Sequence, residues 1–174
     1  GMAEHCERYD HIAKELNTKN CLVVSYNQQG HGPEHNNTIQ NNLNHSLGHL
    51  PPHSWNSLLT DLDHVIQQVK KDFPNAPITL LGHSMGSFIV QGYMQQKQNK
   101  SIKHVILTGS AYEPPLLTWF ANNVMLVLGQ LFSYKKPAVY VQKLLFGSYN
   151  INIKNRKTAF DWLSKNHENV TRYI

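Results

Sequence analysis

The apolar residues of this 174-residue chain change their period several times, and each change marks an element. From Glu4 to Leu16, the residues Cys6, Tyr9, Ile12, Ala13 and Leu16 fall on one face at helical spacing and predict a helix. Cys21–Tyr26 reads Cys-Leu-Val-Val-Ser-Tyr, a short run rich in β-branched residues that predicts a buried strand. A long polar stretch follows from Asn27 to about His53, punctuated by Gly30, Gly32, Pro33, Gly48, Pro51 and Pro52. Ser54 is placed to cap a helix running to about Asp72, with Trp55, Leu58, Leu59, Leu62, Val65, Ile66 and Val69 forming an unbroken apolar stripe. Pro77–Leu81 predicts a second buried strand. It runs into Gly82-His-Ser-Met-Gly86 and then a helix from Met85 to about Lys97. Ile102–Thr108 predicts a third strand.

Helix, strand, helix, strand, helix, strand is the alternation of a parallel sheet with helices on both faces. After Ala111 the pattern changes and no strand is evident. Leu116–Phe132 and Ala138–Phe146 predict apolar helices, and Thr158–Ser164 and His167–Ile174 shorter ones. The expected organisation is therefore an α/β core over residues 1–111 and a helical cap or lid over 112–174. Asn122 and Asn123 interrupt the apolar run at 116–132, which is too short and too polar in its middle for a transmembrane span. Trp119, Phe120, Met125, Leu128 and Phe132 either line a channel for an acyl chain or simply pack the lid.

Composition narrows the classes. The formal charge of +5 is scattered, with no basic stripe carrying interleaved aromatics, so nucleic acid is not an expected partner. Transient contact with an anionic membrane surface is compatible with that charge. Cys6 and Cys21 make neither a disulfide framework nor a zinc site and fit a reducing, cytoplasmic setting. His31, His35, His45, His49 and His53 recur at four-residue steps, but the intervening Gly and Pro residues deny them one helix, and no metal or cofactor is expected. The chain opens on Gly1 rather than Met, and no signal peptide is visible.

The chemistry concentrates at Gly82-His83-Ser84-Met85-Gly86. The pattern Gly-x-Ser-x-Gly arises by chance about once per 3,000 positions at average Gly and Ser usage, so its context decides. Here it stands where a strand passes into a helix, as a nucleophile elbow requires. The elbow projects the serine hydroxyl from a strained turn, and glycines on both sides are expected to relieve collisions with neighbouring backbone. Ser84 is thus the candidate nucleophile, Gly82 and Gly86 the elbow glycines, and the Met85 N–H a candidate oxyanion donor at a helix N-terminus. His83 adjoins the serine but is expected to pack or hydrogen-bond rather than act as the base.

Several stretches carry a family resemblance. Gly1-Met-Ala-Glu-His5 with Arg8-Tyr9 resembles the His-Gly-x-x-Glu-His-x-x-Arg-Tyr run of lysophospholipases and monoacylglycerol lipases. Gly30-His31-Gly32, Ser46–Leu50, Leu80–Gly86, Gly147–Asn150 and Phe160–Ser164 resemble bacterial members of that α/β-hydrolase branch, especially Firmicute ones. The resemblance implies an α/β-hydrolase fold with a helical cap, and a serine hydrolase cleaving lipid-like carboxylic esters. It also implies Met2 N–H as the second oxyanion donor. Asn27 and Gln29 stand where the family has Asp and Arg, which removes that loop's usual salt bridge.

In this fold the triad acid and base follow the nucleophile on later strand ends, so both are expected beyond residue 174. Asp161 and His167 come in the right order, but Asp161 falls in a cap motif and is expected to be structural. The front of the sheet is expected to be cut as well. A strand ending just before Gly1 would lie between Cys21–Tyr26 and Pro77–Leu81, and without it these edges stay unpaired, so the isolated chain is expected to be unstable or to aggregate. Short-chain esterase or aminopeptidase chemistry on the same scaffold, and a non-catalytic ligand-binding module, remain the alternatives.

Overall fold

The computed structural model describes residues 1, 4–32, 54–112, 114–132, 147 and 149–173. The chain forms two compact units, Gly1–Pro114 and Pro115–Ile174.

In the first unit, a short 3-10 turn at Cys6–Tyr9 passes into α1 (Asp10–Asn17). The single predicted helix from Glu4 thus begins more tightly wound. None of the α1 residues is buried, and Asn20, with φ of 59°, ends the segment in the left-handed region. The α2 helix spans Ser54–Asp72 and buries Leu58, Leu59, Leu62 and Ile66, the centre of the predicted stripe. The α3 helix spans Met85–Lys97 and buries Ser87, Ile89, Val90 and Tyr93. These two helices pack together with Leu80 of β1 (Ile78–His83) as the core of the unit. Gly92 lets them approach, since a Cβ there would come 2.7 Å from Cζ2 of Trp55. The ring of Tyr93 is buried in the core, and its hydroxyl donates to Asp63 at 2.6 Å and accepts from Asn99 at 3.0 Å. A buried phenol so partnered costs little, and the bond to Asp63 ties α3 to α2.

β1 pairs in parallel with β2 (Ile102–Thr108), from Ile78 beside Ile102 to His83 beside Thr108, with one irregularity between Ile78 and Thr79. The sheet among the described residues has these two strands, against the three expected. Cys21–Tyr26 is the exception. It forms no ladder, and Leu22 and Val24 are 60% and 51% exposed. A strand is defined by its partner's hydrogen bonds, and no described residue supplies them; the apolar run supplies only the propensity.

The second unit opens with α4 (Pro115–Phe132), on which Leu116, Trp119 and Phe120 are exposed. Trp119, Phe120, Asn123, Val124 and Val127 border an open, apolar hollow of about 390 Å³. The predicted helix at 138–146 lies outside the described residues, as do the side chains of Leu128 and Phe132. The helix expected at Thr158–Ser164 contracts to a 3-10 turn, Asp161–Leu163. The cause is Asp161, whose carboxylate turns back onto the N–H groups of Lys157 and Thr158 and the Thr158 hydroxyl, competing with helix formation. The unit closes with α5 (His167–Tyr173), where Tyr173 meets Phe160 ring to ring at 5.1 Å. No helix among the described residues is long and apolar enough to cross a membrane.

Candidate active site

Ser84 stands alone between the last residue of β1 and the first of α3. Its backbone has φ of 51° and ψ of −121°, a conformation that non-glycine residues rarely adopt. Such a residue costs on the order of 1–3 kcal/mol and persists only where its surroundings over-determine it. The surroundings here do so from both ends. The Ser84 N–H donates to the Thr108 carbonyl at 2.9 Å, and the Ser84 carbonyl accepts from the Ser87 N–H at 2.8 Å. The Ser87 hydroxyl donates to that same carbonyl at 2.7 Å.

The two elbow glycines differ. A Cβ on Gly82 would lie 2.6 Å from the Gly86 carbonyl oxygen and 2.9 Å from Ser87 Cα, so the first turn of α3 sits directly on bare backbone. A Cβ on Gly86 would meet nothing closer among the described residues than Gln28 Nε2 at 3.9 Å. Among the described residues, then, a collision is averted at Gly82 and none is met at Gly86. Gly86 belongs to the α3 turn that rests on Gly82 and faces Gln28 at ordinary contact distance.

His83 makes its side-chain contact with Thr108. Its Nδ1 lies 2.9 Å from the Thr108 hydroxyl. Gly109, at φ of 57°, leaves room for that ring, since a Cβ there would come 3.1 Å from His83 Cε1. Met85 begins α3 and packs against the core. Gly1 lies beside Ser84, since a Cβ on it would come 3.4 Å from Ser84 Cβ. Met2, the other oxyanion candidate, lies outside the described residues.

Beside Gly1, the Glu4 carboxylate accepts from the Tyr9 hydroxyl at 3.0 Å, with Arg8 at 3.6 Å. Burial and the facing Glu4 carboxylate push Tyr9 up to about 12. Asn27 and Gln29 replace the expected salt bridge with hydrogen bonds. Asn27 Oδ1 accepts from the Cys6 N–H at 2.8 Å, and Gln29 Nε2 donates to Asp61 at 2.7 Å. His31, buried, contacts the Gln29 carbonyl through Nδ1 at 3.0 Å; the other loop histidines lie outside the described residues.

Among the described residues no carboxylate–imidazole pair is hydrogen-bonded to the Ser84 hydroxyl. Asp161 is occupied by the 157–158 backbone in the second unit. Glu4, Ser87 and Thr108 are the neighbours that pattern alone did not single out. A serine three residues into a helix is a visible signal for a bond back to the cap carbonyl, whereas the reach of Thr108 depends on strand register.

A strained serine between a parallel strand and a helix, with its preceding glycine under the helix's first turn, defines the elbow of an α/β-hydrolase. The chain is similar in fold to a solved esterase. It superposes over 99% of its length on a thermostable carboxyl esterase from Bacillus coagulans, with a TM-score of 0.83 at 22% identity, and covers 53% of that chain. The chain belongs to the serine aminopeptidase S33 family, whose profile matches residues 1–174. It is 33% identical to the monoglyceride lipase of Rattus norvegicus over 89 residues, which is 51% of this chain and 26% of the relative. It is 30% identical to the monoacylglycerol lipase of Mycolicibacterium smegmatis over 93 residues, 53% of this chain and 29% of that protein. The match thus spans just over a quarter of these curated relatives.

Proposed function

We propose that Ser84 is the nucleophile of a serine hydrolase that cleaves carboxylic esters bearing one lipid-like acyl chain, such as a monoacylglycerol or lysophospholipid. The observation that carries this is the backbone of Ser84 itself, at φ 51° and ψ −121° in the gap between β1 and α3. Strain of that kind is kept where it serves a reaction. Ser84 Oγ attacks the ester carbonyl while its proton passes to an imidazole. The negative oxygen of the tetrahedral adduct takes hydrogen bonds from the N–H groups of Met85 and Met2. The adduct collapses with loss of the alcohol, which takes up the proton, and water then hydrolyses the acyl-enzyme. Among the described residues none stands at Ser84 as that imidazole or its acid. The relatives named for monoglyceride support the substrate class, as do the exposed Leu116, Trp119 and Phe120 of α4, which fit an acyl chain or a membrane surface.

The family description favours one second reading, hydrolysis of an aminoacyl amide on the same elbow. A series of p-nitrophenyl esters of rising chain length, run against an aminoacyl p-nitroanilide, separates the two. With the whole protein that carries this chain, the long-chain ester is expected to be turned over fastest, and Ser84→Ala to abolish turnover and labelling by a fluorophosphonate. Turnover unaffected by Ser84→Ala excludes the mechanism.

A further inference from the structure

We infer that Ser87 is a positioning residue of the oxyanion hole, acting through the peptide that joins Ser84 to Met85. The inference rests on Ser84 being the nucleophile. Ser87 is a fully buried polar side chain (0% exposed) and has no access to a substrate. Its hydroxyl is spent on one acceptor, the Ser84 carbonyl, at 2.7 Å. That carbonyl is already served by the Ser87 N–H at 2.8 Å, so the hydroxyl is not needed to satisfy it.

What the second bond adds follows from peptide geometry. The Ser84 C=O and the Met85 N–H belong to one planar trans unit and point in opposite directions. Whatever holds the carbonyl oxygen inward therefore aims the Met85 N–H outward, away from Ser87. Two donors on the oxygen fix the tilt of that plane more tightly than one. They also polarise the amide, which makes its N–H the stronger donor. A backbone N–H at position 87 comes with any residue but proline. The hydroxyl comes only with serine or threonine. Ser87 is itself braced, since its carbonyl accepts from Gln91 Nε2 at 3.3 Å and that amide also reaches Ser110 at 3.1 Å.

The test compares Ser87→Ala with the unmodified protein, using a p-nitrophenyl ester as substrate and an alkyl boronic acid, whose tetrahedral serine adduct places an oxygen in the oxyanion hole, as inhibitor. Ser87→Ala is expected to lower kcat about tenfold, less than the roughly 10²–10³ that loss of a donor itself costs. KM is expected to hold within about twofold, and boronic acid affinity to fall in step with kcat, the mark of an interaction made only in the transition state. Ser87→Thr, which keeps the hydroxyl, is expected to recover most of the loss. Equal kcat and equal boronic acid affinity in Ser87→Ala overturn the inference, as does a rise in KM at unchanged kcat. If the unmodified protein is not inhibited by the boronic acid, and Ser84→Ala leaves turnover intact, the nucleophile is misassigned and the role of Ser87 falls with it.

Discussion

Within the first unit, two regions hold apolar side chains of the same kind and treat them oppositely. Where α2 and α3 meet β1, Leu59, Ile66, Ile89 and Tyr93 are at most 2% exposed. Along β2 and Cys21–Tyr26, Val105, Ile106, Leu107, Leu22 and Val24 remain between 39% and 60% exposed. The elbow lies at the junction, since Ser84 takes its carbonyl contacts from α3 and its N–H contact from the end of β2. The contrast shows which parts of the site are locally determined. Among the described residues the hydrogen bonds that hold Ser84 come from Ser87 and one neighbouring strand end, whereas burial of the rest of the sheet requires surface that the described residues do not provide.

The sharpest way to break the comparison is at its junction. Gly82→Ala places a methyl 2.6 Å from the Gly86 carbonyl oxygen, a clash with backbone that only a shift of α3 relieves. We expect fluorophosphonate labelling of Ser84 to fall by about 100-fold or more, since a misplacement near 1 Å already costs that much. Gly86→Ala, whose methyl meets only Gln28 Nε2 at 3.9 Å among the described residues, is expected to label within a few-fold of the unmodified protein. Labelling rates measured side by side decide it, and equal loss in both would mean that glycine clearance at Gly82 is not what shapes the turn.

A smaller effect tests burial itself. Leu59→Ala, at 2% exposure, is expected to cost about 2–5 kcal/mol in denaturant unfolding. Ile106→Ala, at 47% exposure, is expected to stay within about 0.5 kcal/mol. A loss at Ile106 as large as that at Leu59 would show that the β2 face is covered in solution and would erase the contrast.

The same division governs what the sequence made legible. The α2 stripe, the limits of α3 and the span of β2 could be read because each is a local pattern with its own period. The elbow could be read because a strand, a five-residue motif and a helix abut. Cys21–Tyr26 misled because its residues prefer a strand, yet a strand exists only through a partner. The turn at 158–164 misled because the apolar residues there have helical spacing, while Asp161 bonds backwards and outcompetes it. The Thr108 hydroxyl beside His83 needed the β1–β2 register, which no single-strand pattern contains.

The smallest expected effect concerns that backward-bonding aspartate, the counterpart in the second unit of the elbow's local bonding. The Thr158 hydroxyl, then the Lys157 and Thr158 N–H groups, hold the Asp161 carboxyl below its ordinary 3.8, with His167 adding a little. A depressed carboxyl stabilises the fold fully above its unfolded value and loses that contribution as pH falls through the lowered one. The 157–161 turn should therefore keep its structure from neutral pH down to about 4 and loosen only in stronger acid. Asp161→Asn removes the charge at every pH. Its Lys157 and Thr158 amides are expected to exchange faster than in the unmodified protein at pH 6, and the difference to shrink in acid, where the native carboxyl is itself protonated. Equal exchange at pH 6 would mean that helix-like packing of Phe160 against Tyr173, rather than the carboxylate, holds the turn.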